Sequence, residues 1–128
     1  MKLLLDTHAL IWRVTGSARL SSVASAAIDD PGNEVLVSAA SAWEIATKYR
    51  LGKTPEGAAI VAGFVQVTRT LRADLLSMSA EHSLLAGSFA MSHRDPFDRM
   101  LAAQAAMESA LLVTFDTAFA DFPVATLW

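Results

Sequence analysis

The chain has 128 residues, too few for two domains and enough for one well-filled core. Ten Lys and Arg against 13 Asp and Glu give a net charge of −3, so the molecule as a whole does not present the basic surface of a general nucleic-acid binder. The absence of cysteine excludes disulfides and thiolate metal sites.

The opening residues Met1–Leu5 read briefly like a signal peptide, but Asp6, His8 and Arg13 interrupt the apolar run and no small-residue cleavage site follows. No window holds the roughly 18 consecutive apolar residues of a membrane helix. A cytoplasmic protein is the expectation. Hydrophobic residues make up 53 % of the chain, a high share for this length, which points to a covered partner interface.

In chain order, Lys2–Leu5 reads as a buried strand ending at Asp6, and Thr7 onward as a helix with Leu10, Ile11 and Val14 on one side. A second helix opens near Arg19 and carries Leu20, Val23, Ala24, Ala27 and Ile28, and Asp29–Asn33 stops it with turn chemistry. Glu34–Val37 is a second strand. Ser41-Ala42-Trp43-Glu44 has the form of a capping box opening a helix to about Arg50, closed by Gly52. Thr54-Pro55-Glu56 starts a helix bearing Ile60, Val61, Phe64 and Val65. A strand near Asp74–Ser77 and a helix from Ser79 to about Phe89 follow. Asp95 and Pro96 sit at N-cap and first-turn positions of an Ala-rich helix to about Ser109. Leu111–Thr114 is an apolar strand, and a short helical turn leads to a last strand at Val124–Leu127.

Strands and helices alternate, and the strands are apolar runs without period-two alternation. This pattern predicts a single α/β domain over residues 1–128, a three-layer α/β/α sandwich around a mostly parallel sheet.

Such a sheet gathers the carboxyl ends of its strands on one edge, where ligands bind. Asp6 and Asp116 follow strands, and Glu44 and Asp98 fall in the first turns of helices, within reach of that edge. Each acid taken singly reads as a cap or capping partner. Together they exceed what capping needs, because at ~5 Å and an effective dielectric of ~20 each ionised pair repels by roughly 3 kcal/mol, while a helix dipole returns only about 0.3–1 kcal/mol. The cluster must hold protons or bind a cation, and all-oxygen ligation favours Mg²⁺ or Mn²⁺ over zinc. His8 and His93 lack a companion at ligand spacing and read as surface or loop side chains. Lys48, Arg50 and Lys53 read first as compensation of a helix dipole and second as phosphate contacts. Arg94 and Arg99 flank the acids as candidate phosphate clamps. Nucleotide-binding glycine motifs and a nucleophile elbow are absent.

Leu4-Leu5-Asp6-Thr7-His8-Ala9, Ser38-Ala39-Ala40-Ser41-Ala42-Trp43-Glu44-Ile45, His93-Arg94-Asp95-Pro96-Phe97-Asp98-Arg99 with Leu101–Ala105, and Leu112-Val113-Thr114-Phe115-Asp116 resemble the four motifs of PIN-domain proteins, in order and spacing. The likeness runs nearly end to end and is greatest to the VapC-type toxins of toxin–antitoxin pairs, with a departure at Ala90-Met91, where a Leu-Pro pair is common. The resemblance implies an endoribonuclease that hydrolyses RNA phosphodiesters with water activated by Mg²⁺ or Mn²⁺. Its acidic quartet falls on Asp6, Glu44, Asp98 and Asp116, with Thr7, Asp95 and Thr114 as supporting groups. It also implies a homodimer and a cognate antitoxin over the acidic groove, with Trp12 and Trp43 as candidate interface residues or core. A non-cutting domain that grips RNA or protein is the alternative. A phosphoacceptor domain fits less well, since Thr7-His8 follows Asp6 and no Lys lies in Thr114–Thr117.

Overall fold

A computed structural model describes all 128 residues. Five short strands form one sheet: β1 (Lys2–Leu5), β2 (Glu34–Ser38), β3 (Asp74–Leu76), β4 (Leu111–Val113) and β5 (Thr126–Leu127). Every pairing is parallel and the order is β3-β2-β1-β4-β5. Between the strands run α1 (Thr7–Thr15), α2 (Ser22–Asp29), α3 (Ala39–Arg50), α4 (Ala58–Ala62), α5 (Phe64–Thr70), α6 (Ala80–Ser88) and α7 (Pro96–Met107), with 3₁₀ turns at Pro55–Gly57 and Thr117–Asp121. No helix is long and apolar enough to cross a membrane.

The unbroken apolar strands are explained by burial on both faces. Leu3, Leu5, Val35, Val37 and Val113 point into one core with Leu10, Ile11, Ile28, Ile45 and Ile60. Their neighbours Leu4, Leu36 and Leu112 point into a second, covered by Leu101, Ala102, Ala105, Phe119 and Phe122. Small alanines on the inner face of α7 let that helix lie close to the sheet. The expected three-layer sandwich is therefore present, with β1 fully enclosed at its centre.

Register fixes what lies at the edge. Leu5 is level with Val37 and with Val113, so Asp6, Ser38 and Thr114 emerge side by side. The backbone N–H of Asp6 still donates to the Val113 carbonyl at 3.0 Å. The chain leaves β1 toward β2 on one side and returns to β4 on the other, so the topological switch point falls beside Asp6.

Three helical stretches differ from expectation. The third helix begins at Ala39, not at Ser41: β2 runs directly into it and Ser38 is its N-cap, accepting from the Ala40 N–H. Glu44 thus lies beyond the first turn and is no capping partner. The expected helix from Thr54 is broken into the 3₁₀ turn, α4 and α5, because Gly63 takes φ −145°, ψ 47°, outside the helical region. α7 stops at Met107, two residues short of Ser109, whose φ of +53° turns the chain into β4.

Candidate active site

Asp6, Thr7, His8, Glu44, Lys48, Asp95, Asp98, Asp116 and Phe119 line one cleft at the carboxyl edge of the sheet. Each side chain is delivered by a local rule. Asp6 caps α1, accepting from the Ala9 N–H at 2.7 Å. Asp95 caps α7 through the N–H groups of Phe97 and Asp98, with Pro96 preset for the first turn. Asp116 caps the last 3₁₀ turn through the Ala118 N–H. The capping reading and the site reading therefore hold for the same carboxylates, since Asp6, Asp95 and Asp116 each cap a helical turn and also line the cleft.

Two hydroxyls tie the acids together. Thr114 Oγ1 donates to Asp6 Oδ2 at 2.5 Å and accepts from the Asp116 N–H at 3.0 Å, linking β1 to the loop after β4. Thr7 Oγ1 donates to Glu44 Oε1 at 2.5 Å. Its single proton is then committed, so the Ser41 hydroxyl, 3.1 Å away, donates to Thr7. Ser41 thus aligns Glu44 through Thr7.

Charge in the cleft is unbalanced. Five carboxylates face one ammonium, that of Lys48, which pairs with Glu44 one helical turn away. Burial pushes the Asp6 carboxyl above its usual pKa, against the Thr114 and Ala9 hydrogen bonds. Burial also raises Asp98, to about 6, with help from the charges of Asp95 and Glu44 and against the hydrogen bond of His93. Burial lowers the Lys48 ammonium, but the hydrogen bond and charge of Glu44, with Asp95 and Asp98, outweigh this and hold it above its ordinary value.

No three His, Asp or Glu side chains stand arranged to hold a metal ion as they are placed. Glu44 holds Lys48, Asp98 Oδ2 lies 3.0 Å from His93 Nε2, and Asp6 has the Thr114 hydroxyl. The donor chemistry nevertheless fits a hard divalent cation: buried carboxylates with raised pKa values beside one another gain most from added positive charge.

Several residues take roles that sequence reasoning did not assign. Arg99 does not face the acids. Its guanidinium donates to the carbonyls of Ala86, Met91, His93 and Phe89 at 2.9, 3.1, 2.8 and 2.6 Å, and so pins the loop before α7. That corrects its reading as a phosphate clamp. Arg94 is exposed and lies outside the cleft lining. His93, read as a loop side chain, meets Asp98. Lys48, read first as dipole compensation, enters the cleft. Gln104 is fully buried and accepts from the Ser38 hydroxyl while donating to the Ser77 carbonyl, joining α7 to the start of α3. A lone Gln among the alanines of a helix was the available signal for it.

Comparisons with known proteins agree with this architecture. VapC20 of Mycobacterium tuberculosis, a sarcin–ricin loop cleaving toxin, matches over 98 % of this chain and 98 % of its own, with a TM-score of 0.69 and 15 % identity. VapBC-1 from nontypeable Haemophilus influenzae matches over 94 % and 92 %, with a TM-score of 0.66 and 18 % identity. At such identities the likeness is one of fold. Ribonuclease VapC16 of Mycobacterium tuberculosis is 63 % identical over 30 residues, 23 % of this chain and only 21 % of that relative. The PIN domain sequence model matches residues 3–125, nearly the whole length and all the acids of the cleft. The chain belongs to the PIN-domain family.

Proposed function

We propose that the protein is a Mg²⁺- or Mn²⁺-dependent endoribonuclease and the toxin of a toxin–antitoxin pair. The observation that carries this reading is the cleft itself: five carboxylates against one ammonium at the switch point of a parallel sheet, in a PIN domain. Asp6, Asp98 and Asp116 would hold the ion, with Glu44 orienting water or serving a second ion. When bound, the metal supplies Lewis-acid charge at the phosphate and lowers the pKa of water.

The chain's own groups do the rest. Thr114 keeps one lone pair of Asp6 occupied and holds its carboxylate in a fixed rotamer. Thr7 and Ser41 do the same for Glu44. Lys48 lies beside the acids, where its ammonium can meet a phosphate oxygen of the substrate. His93, 3.0 Å from Asp98 Oδ2, holds that carboxylate in place at the cleft.

The antitoxin reading draws on the structural neighbours, two of which are VapBC assemblies. A cationic side chain from such a partner would neutralise the same carboxylates. The exposed Trp43, Tyr49, Leu51, Val61 and Val65 support a homodimer, since a set of apolar side chains this large is uncommon on a free monomer.

Cleavage of RNA by purified protein with Mg²⁺ or Mn²⁺, set against Asp6→Asn and Asp98→Asn, tests the activity. The wild type cleaves, EDTA stops it, and both variants lose at least ~100-fold, in line with removal of a group that acts on the transition state. Equal cleavage by all three proteins would rule the reading out.

A further inference from the structure

Beside the acid cleft lies a second recess, of about 410 Å³, lined by His8, Trp12, Phe115, Asp116 and Thr117. His8 and Asp116 line both spaces, so the two adjoin. The recess has an aromatic wall. Phe115 meets Trp12 and Trp128 edge-on, with ring centroids 6.1 and 5.8 Å away, and His8 lies 5.5 Å from Trp12. Trp12 and Trp128 pack against the core behind the wall, which accounts for them structurally. Phe115 is different: it is 65 % exposed, follows Thr114 directly and precedes Asp116. A solitary exposed Phe calls for no explanation. One that lines a recess adjoining a charged cleft does.

We propose that Phe115, backed by Trp12 and Trp128, is a stacking shelf for one unpaired nucleobase of the RNA whose phosphate enters the acid cleft. The inference rests on the ribonuclease reading above and adds to it a residue that positions the substrate. A phosphate among the carboxylates puts the adjoining nucleotide over His8 and Asp116, where its base reaches Phe115. Every base has a π face, so such a shelf tolerates any sequence, and a base held in a duplex is already stacked and cannot use it. The shelf therefore selects single-stranded segments, loops or ends.

The test is steady-state cleavage of a short mixed-sequence single-stranded RNA and of the same sequence as a duplex by wild type, Phe115→Leu and Phe115→Tyr. Phe115→Leu is expected to raise KM for the single strand by about 5- to 100-fold, the contribution of stacking one base, with kcat little changed. Phe115→Tyr restores KM by restoring the π face, and the duplex is a poor substrate for all three. In the Asp98→Asn protein, RNA binding quenches tryptophan fluorescence from Trp12 and Trp128, and adding Phe115→Leu weakens that binding by a similar factor. A wild type that cleaves and a Phe115→Leu protein with the same KM overturn the shelf and leave the nuclease reading standing. A Phe115→Leu protein with unchanged KM and lost self-association shows a contact between copies instead. Failure of the wild type to cleave overturns both readings.

Discussion

Asp98 carries the conflict that a functional site imposes on a folded chain. Its carboxyl is buried beside Asp95 and Glu44, which raises its pKa to about 6. Below about pH 4 both folded and unfolded chains keep this proton, so the group contributes nothing to the pH dependence. Between there and about 6 the unfolded chain releases the proton while the folded chain retains it, so the metal-free protein loses stability as pH rises. Above about 6 the penalty is fully present, on the order of 2 kcal/mol. In EDTA, Asp98→Asn should therefore raise Tm at pH 7.5 by a few degrees and leave it unchanged near pH 4. A variant that melts earlier than wild type at pH 7.5 in EDTA would contradict this account of the charge cluster. Residue types and spacing made the acids legible in the sequence. Their internal partners were not: that Thr114 bridges Asp6 and Asp116, or that Lys48 lies on Glu44, depends on strands and helix faces meeting across more than a hundred residues or on which turn of α3 faces inward.

Helix starts make the site. β1, β2 and the loop before α7 each end in a capping residue, and the caps Asp6, Ser38 and Asp95 all fall at the same edge. The cap at Asp95 was readable because Asp-Pro has one dominant local meaning. The start of α3 was not, because Ser38 and Ser41 are both good caps and only the length of β2 decides between them. The loop before α7 is held by Arg99, whose planar fork reaches five backbone carbonyls, that of Gly87 the most distant at 3.5 Å. Arg99→Ala should cost about 2–4 kcal/mol by leaving those carbonyls short of donors. Arg99→Lys should recover little, since an ammonium cannot reproduce the fork. Thermal melts and amide exchange across residues 89–95 read this directly. Melting unchanged from wild type in both variants would return Arg99 to the pool of substrate contacts.

The whole molecule is arranged so that stability and chemistry occupy different places. Apolar residues of five parallel strands fill two cores, and the carboxylates sit where the strands end and the topology reverses. The fold was legible because buried parallel strands alternating with helices admit few architectures. The break at Gly63 and the exposed apolar side chains of α3, α4 and α5 were less so, since a partly exposed helix here has the composition of a buried one. The central claim is that the carboxylates at this edge await a hard divalent cation. A Mn²⁺ titration of the metal-free protein, by calorimetry, is the most direct test. Binding in wild type, weakened at least ~10-fold in Asp6→Asn and in Asp98→Asn as expected when one charged ligand is lost, is the predicted result. No Mn²⁺ binding, or equal binding by wild type and both variants, would contradict it.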